Sequence, residues 1–520
     1  MSFQSNYSVV SRFRHVFLAA ASGLVLAFAL PEPGTWLAAW VGLVPLFIAL
    51  RSSTPSRAAL CGLVAGIVYY GIILNWITLF GFLPWMLLVL YQALYFAVFA
   101  MLCVRLGPER AGWRGFLAIP ALWVVLQYLK TLGPYAFIWG SFAHTQADNI
   151  PFAQISSVTG PWGIDFALCF LNLALANALQ PRVSRRYVPL VIASGLTLAI
   201  CIFGLTSIPK AEPAASPRVA ILQGNMKNDF DPVPDYEKIA YALYSRMTAG
   251  AAKKGVDLVI WPETTLAVDI SAPEWANLLS HTARKTGVEL LIGGYDASKD
   301  PMTTGSYNSV FLFDKSGRIA GVYHKVQLVP FGEFVPLRDR LPMLRDYGVR
   351  PDDVLAAKTH SLVDTSIGKV GVSICFESLF PEIARSETRD GANLLCVVTN
   401  DAWFERTQAA REHLLMAKLR AIENRRYVLR AAGTGISAVI DPYGRTSQEL
   451  GLFRQGTIIS GVQPSSALTF YTRFGQWFAY LCIAILIVCL PLPLRALRAP
   501  SGGARHQETE PALEHPPSSR

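Results

Sequence analysis

Charge is scarce in this chain. Asp, Glu, Lys and Arg make up 16% of its 520 residues, against 52% for the hydrophobic types. So low a charged fraction excludes an ordinary soluble protein of this size and calls for membrane spans. Cysteine occurs eight times, but never as CxxC and never at a Cys/His ligand spacing, which argues against both a zinc module and a disulfide framework. Six of the eight (Cys61, Cys103, Cys169, Cys201, Cys482 and Cys489) lie in apolar runs, leaving Cys375 and Cys396. The formal net charge is +10, yet no Lys/Arg cluster interleaved with aromatics falls in a folded segment, so nucleic acid is not an expected partner. The GxSxG, HExxH and P-loop patterns are also missing, and no metal or cofactor is expected.

What is present in abundance is apolar sequence. Eight runs are predicted to span a bilayer: 15–30, 36–50, 58–79, 82–105, 115–130, 163–179, 187–208 and 477–497. The first two are short against the roughly 20 residues that a crossing needs. A cleaved signal peptide is the rival reading of the first, since Arg12 and Arg14 precede it, but the repeated spans downstream favour a retained helix. Arginines collect in alternate connections: Arg12 and Arg14, Arg51 and Arg57, Arg105, Arg110 and Arg114, then Arg182, Arg185 and Arg186, with Arg495 and Arg498 after the last run. By the positive-inside rule both termini are then cytoplasmic and the long segment before the last span lies outside. The expected division is 1–210 membrane region, 211–472 outer domain, 473–498 last span and 499–520 disordered tail. Asp165, near the outer end of the sixth span, is read as solvated at the interface, although function is the default for an intramembrane acid. Tyr135, Phe137, Trp139 and Phe142, in the connection that also carries His144 and Asp148, are read as an interfacial aromatic belt.

The outer segment has another texture. Short β-branched runs at 218–223, 256–261, 289–295, 309–313, 370–374, 393–399, 436–440 and 457–462 alternate with helical patterns at 236–252, 272–287 and 409–424. Such alternation predicts an α/β layered domain with buried strands. Glu263, Lys325 and Cys375 each fall just past a strand end, where α/β domains gather their ligands. Singly, each has a plain reading: a cap, a solvated charge, a core thiol. Cys396, inside its strand, keeps the core reading. Together the three suffice for acyl transfer without a histidine. A thiol of pKa about 8.5 needs a base at neutral pH, which Glu263 can be. Lys325 can stabilise both the thiolate and an oxyanion, helped by a backbone N–H after Cys375.

The motifs WPET (261–264), YHKVQLVPFGEFVP (323–336), ICFES (374–378) and TNDAWF (399–404) resemble the nitrilase superfamily. With PALW (120–123) and the pair Asn75 and Trp76, the chain resembles more narrowly the bacterial apolipoprotein N-acyltransferases, in which a nitrilase-like domain sits between the penultimate and last of eight spans. The resemblance implies an αββα sandwich carrying a Glu263, Lys325, Cys375 triad. It implies a thioester on Cys375, loaded from a membrane phospholipid and passed to the N-terminal diacylglyceryl-cysteine of an apolipoprotein. Glu333 and Glu377 match supporting acids of the family, Phe376 stands where a Tyr often occurs, and Phe230 is the expected aromatic of the loop after Gln223. The implied setting is the bacterial cytoplasmic membrane, with a periplasmic catalytic domain in a monomer. Leu328, Val329, Phe331, Phe334, Leu337, Leu341 and Met343, with Trp403 and Phe404, are either a greasy lip for lipid or packing against the spans, and Gly332 is a candidate hinge. A membrane-anchored amidase and a non-catalytic transporter or scaffold are the rival readings. The greasy loops weigh against the first and the nearly charge-free spans against the second.

Overall fold

The computed structural model describes residues 3–30, 35–107, 112–181, 185–209, 216–226, 234–300, 305–336, 338, 340 and 353–489, with side chains from Phe13 onward. The expectations for Phe230, Leu337, Leu341, Met343, Arg110, Arg182, Arg495, Arg498 and the tail lie outside the described residues.

Apolar helices stand where the spans are predicted. Among the described residues Pro55–Ile73, Phe82–Leu106 and Val188–Ser207 are long and apolar enough to cross a membrane. Ile150–Thr159 and Trp162–Ala178 form a pair bent by 120°, and 13–27, 36–50, 113–129 and 477–489 are shorter apolar helices. The 36–50 run is interrupted, with a 3-10 turn Trp36–Trp40 before the helix Val44–Leu50. Small residues set the helix spacing: a Cβ on Gly62 or Gly66 would run into the backbone of Phe96 or Ala93 on the facing helix. Close approach of this kind replaces the hydrophobic drive that lipid cannot supply.

Two readings of this region are corrected. Asp165 is not solvated; it is wholly buried and accepts from the Ser141 hydroxyl at 3.1 Å. Trp139 and Phe142 are buried too, Phe142 stacked on Trp123 at 4.5 Å, so neither belongs to an interfacial belt. The reason is that the connection after the 113–129 helix folds inward as the short helices Phe142–Thr145, Ile150–Ala153 and Ser156–Thr159. It fills the space between the membrane helices and the rest of the chain instead of lying along lipid.

The remainder is a two-sheet sandwich. The first sheet contains β1 (Arg218–Gln223), β2 (Leu258–Ile260), β3 (Glu289–Ala297), β4 (Ser306–Phe313) and β5 (Ile319–His324). The second contains β6 (Val363–Thr365), β7 (Gly368–Ile374), β8 (Leu394–Thr399), β9 (Val428–Ala432), β10 (Ser437–Ile440) and β11 (Thr446–Leu450). Strand β12 (Gly456–Gly461) returns to the first, giving the orders β12-β1-β2-β3-β4-β5 and β11-β10-β9-β8-β7-β6. Side chains alternate as a pleated strand requires. Val219 and Ile221 meet Val370, Val372 and Ile374 between the sheets. Ala220 and Leu222 face the outer helices α1 (Tyr236–Ala252) and α2 (Pro273–Thr286). Beyond the second sheet lie α3 (Pro381–Arg389) and α4 (Ala409–Asn424), whose apolar residues form one continuous core with the membrane helices. The layers therefore run α, β, β, α, then membrane helices.

Candidate active site

Strands β2, β5 and β7 end near one another, and each delivers one member of the expected trio. Cys375 is the first residue after β7 and takes a left-handed φ of +52°. For a non-glycine residue that conformation costs roughly 1–2 kcal/mol, and it turns the thiol out of the strand direction. Lys325 follows β5 directly, its N–H bonded to the Asn308 carbonyl at 2.9 Å. Glu263 lies three residues past β2, beyond Pro262.

Glu263 and Lys325 are buried, and Cys375 beside them is half-buried. The Lys325 ammonium is 2.9 Å from the Glu333 carboxylate and 3.8 Å from that of Glu263. Glu263 is oriented from both sheets: the Asn308 amide donates to Oε1 at 2.8 Å, and the Asn400 backbone N–H donates to Oε2 at 2.7 Å. The Asn308 amide also donates to Glu333 at 3.0 Å, and Glu333 accepts from the Val329 N–H at 2.9 Å, which anchors the loop after Lys325. Burial raises the Glu263 pKa above the ordinary carboxylate value, with Lys325 opposing. For Lys325 burial works the other way, but the Glu333 and Glu263 carboxylates outweigh it and push its pKa up, so the amine stays charged. The Cys375 thiol is raised well above its ordinary value by burial and by Glu263, with Lys325 opposing, and does not ionise unaided.

Glu377 belongs to the turn itself. It accepts from the Tyr323 hydroxyl at 2.9 Å and from the N–H groups of Val326, Gln327 and Ile374 at 2.7–3.1 Å, so one carboxyl ties the Cys375 turn to the lysine loop. Burial nevertheless lifts it to about 7. Behind Cys375 stands a set that strand-end reasoning does not reach. His413 Nε2 lies 3.1 Å from the Cys375 carbonyl and 2.7 Å from the Ser378 hydroxyl, and its Nδ1 lies 3.2 Å from Asp401. Asp401 is paired with the Arg430 guanidinium at 2.7 Å, both groups wholly buried. Burial alone would raise the Asp401 carboxyl, but Arg430 and His413 pull it well below the usual range. Asn308, Asn400, His413 and Arg430 are thus site residues without a place in the predicted set. The available signal is a lone polar residue inside an otherwise apolar strand, as in Arg430.

The expected lipid-contacting residues divide. Phe404 is buried against Trp76 (4.8 Å) and Trp139 (5.8 Å), and Phe376, expected as a supporting residue instead, packs on Phe137 (5.8 Å), so both seal the sandwich to the membrane region. Trp403 is half-buried beside Phe80 at 6.1 Å. Among the described residues of the group Phe331 alone is exposed, while Phe334 is half-buried. The left-handed position of that loop is Phe331 itself, with φ of +63°, rather than Gly332.

A two-sheet sandwich that joins a carboxylate, an amine and a thiol at one edge and rests on membrane helices matches two families in series. The family model for carbon-nitrogen hydrolase covers residues 218–469, and that for the apolipoprotein N-acyltransferase N-terminal domain covers 22–174. A protein of Geobacter metallireducens named apolipoprotein N-acyltransferase is 33% identical over 500 residues, spanning 93% of this chain and 96% of that one. Its namesake in Gloeobacter violaceus is 32% identical over 511 residues, spanning 94% and 95%. The solved structure of Saccharomyces cerevisiae Nit3, a nitrilase-superfamily member, aligns with 48% of this chain and 93% of its own at 23% identity and a TM-score of 0.39. The chain belongs to the apolipoprotein N-acyltransferase family.

Proposed function

We propose that this chain, an apolipoprotein N-acyltransferase by family, loads Cys375 with an acyl group from a membrane phospholipid. It then passes that group to the α-amino group of the diacylglyceryl-cysteine that begins an apolipoprotein. The observation that carries the reading is the clustering of Glu263, Lys325 and Cys375, with Glu263 oriented by Asn308 and Asn400 and the ammonium kept charged by two carboxylates. Because burial keeps the thiol protonated, Glu263 takes its proton as sulfur attacks the ester carbonyl. The oxyanion forms beside Lys325 and a backbone N–H after Cys375. On collapse the C–O bond breaks, the lysophospholipid alkoxide leaves with the proton from Glu263, and a thioester remains. In the second half the amine attacks the thioester, Glu263 takes the ammonium proton, and that proton returns to the departing Cys375 sulfur.

The setting we propose has eight spans, both termini cytoplasmic and residues 211–472 on the periplasmic side, supported by the alternation of arginine-rich connections. The shared apolar core of α4 and the membrane helices supports a site held against the bilayer. The amidase alternative gives no reason for the membrane half, which the relatives share along nearly the whole chain. The test is the intact mass of the purified protein after incubation with phospholipid. A hydroxylamine-labile acyl adduct is expected in the natural chain and none in Cys375→Ala; a folded natural chain that stays unmodified would sink the thioester mechanism.

A further inference from the structure

A cavity of about 540 Å³ opens between the sandwich and the ends of the membrane helices 113–129 and 477–489. Its walls are of two kinds. The membrane side carries Tyr128, Leu132 and Tyr480, and the sandwich side carries Arg385, Arg389 and Arg473. Against three guanidiniums the lining holds one carboxylate, Glu382.

The three arginines differ in what they have left to give. Arg385 is occupied: its Nε donates to Glu382 at 2.9 Å and its Nη1 to the Thr472 carbonyl at 2.9 Å. Glu382 in turn accepts from the Gln476 amide, whose oxygen takes the Trp162 N–H, so this network fixes the cavity wall to the membrane helices. Arg389 is exposed and uses one N–H on the equally exposed Asp390. Arg473 is exposed; its backbone N–H is bonded to the Thr469 carbonyl, and its guanidinium has no hydrogen-bond or ion-pair partner among the described residues. Beside it the surface turns apolar: Leu132 is 50% exposed, Phe474 59% and Tyr480 55%, and the hydroxyls of Tyr128 and Tyr480 lie 3.4 Å apart. One free guanidinium and a second held only by an exposed Asp390, next to phenols at the edge of apolar helices, match one chemistry, a phosphodiester whose attached chains continue into lipid.

The cavity also reaches towards the nucleophile. Phe380 in its wall packs on Phe376, the neighbour of Cys375, at 5.1 Å, and Gln327 in its wall donates its backbone N–H to Glu377. We propose that this cavity is the phosphodiester subsite for the donor phospholipid, with Arg473 and Arg389 as the cations that hold its phosphate. The assignment rests on the phospholipid-donor reading above and adds to it where the headgroup lies.

The experiment follows loading of full-length protein in dodecylmaltoside micelles by intact mass. Two donors are compared, palmitoyl-oleoyl phosphatidylglycerol at varied mole fraction and p-nitrophenyl palmitate, which has no phosphate. In the double variant Arg389→Gln/Arg473→Gln the half-saturating mole fraction of the phospholipid is expected to rise about tenfold, the worth of one lost charge-assisted contact. The maximal loading rate and the rate with the p-nitrophenyl ester are expected to stay unchanged. An unaltered half-saturation overturns the subsite, as does an equal loss with both donors, which marks a structural role. Free inorganic phosphate is the competing source of the same chemistry: half-inhibition of natural-chain loading below about 1 mM phosphate would reassign the cavity to a soluble anion. If the natural chain takes no acyl group from the phospholipid at all, the donor reading falls and the subsite with it. Loading that is indifferent to the two arginines removes the subsite alone.

Discussion

On one outer face of the sandwich, α1 buries Ala240, Tyr244, Thr248 and Ala251 and leaves most of its remaining surface to solvent. On the other face, α4 buries every residue from Ala409 to Asn424 except Arg411. Both helices cover a six-stranded sheet, so the same architectural layer has been built in two ways. Spacing of three or four residues is the mark of a one-sided amphipathic helix, whereas burial all round marks a helix packed on both sides. The second helix is packed so because the membrane helices share its core. Its charges are accordingly paired across the boundary or towards the site: Glu412 with the Trp139 indole, Lys418 with Asp148, His413 with Asp401, Arg420 with Glu423. A buried charge is tolerated only when matched in this way. The Cys375 turn therefore belongs to the sheet that is locked to the membrane helices, while Glu263 and Lys325 come from the water-facing sheet.

The largest break in that contrast comes from Arg430→Ala. It strips the buried Asp401 carboxylate of its guanidinium, and loss of one partner of a buried pair costs about 3–5 kcal/mol. The neutral counterpart on the water-facing side is the Trp261 indole bonded to Thr248 at 3.0 Å, and Thr248→Val is expected to cost about 1 kcal/mol. Thermal unfolding in detergent ranks the two. The pH dependence separates them further. The folded pKa of Asp401 is depressed, so its contribution is present above the unfolded value of about 3.9 and is lost as pH falls through the folded value. The gap between the natural chain and Arg430→Ala should close on acidification below that point, while the Thr248→Val gap should not move.

A smaller effect tests what the water-facing half gives to the chemistry. Asn308, on β4 of the first sheet, donates to both Glu263 and Glu333. Burial already raises Glu263, and the Asn308 bond opposes that rise. Asn308→Ala removes the opposition, so the acid limb of the loading rate, where Glu263 must be a carboxylate to act as base, moves to higher pH. Loading on that limb should fall roughly tenfold, the worth of a hydrogen bond to a charged group, with less loss at alkaline pH. A uniform loss at all pH values would mean that Asn308 only positions the loop.

What could be read from the residues alone followed the same division. The buried strands at 256–261, 370–374 and 393–399 announce themselves by their β-branched and aliphatic residues, and Glu263 and Cys375 are legible because they stand just past the first two. Strand β9 is missed because Arg430 interrupts VLRAA, and a charge inside a run looks like a turn until Asp401 is brought to it from thirty residues away in the chain. Strand β11, TSQEL, is a polar edge with no periodic signal. Asp165 reads as solvated because nothing near it in the chain explains its burial; the Ser141 hydroxyl that satisfies it belongs to another segment. The burial of the polar residues of α4 is likewise invisible from within the 409–424 pattern, since partners such as Asp148 and Trp139 are remote in sequence. Periodicity reports one-sided burial well and two-sided burial with paired charges hardly at all.

The smallest effect is expected at the seam itself. Burial lifts the Glu412 carboxyl to about 8, against the opposing hydrogen bond from the Trp139 indole. A carboxyl raised in the folded state favours folding below its unfolded pKa of about 4.3, and that advantage is lost as pH rises through the folded value. Stability should therefore decline between those two pH values. Trp139→Phe removes the N–H together with one ring of a buried indole; the lost packing weighs equally at every pH, whereas the lost donor should extend the decline to higher pH, since the carboxylate then has no indole partner. Lys238→Ala on α1 breaks the exposed pair with Asp235 and should leave the unfolding temperature where it was at every pH. If the pH dependence of Trp139→Phe matches that of Lys238→Ala, the indole bond does not hold the seam, and the Phe404 and Phe376 contacts hold it instead.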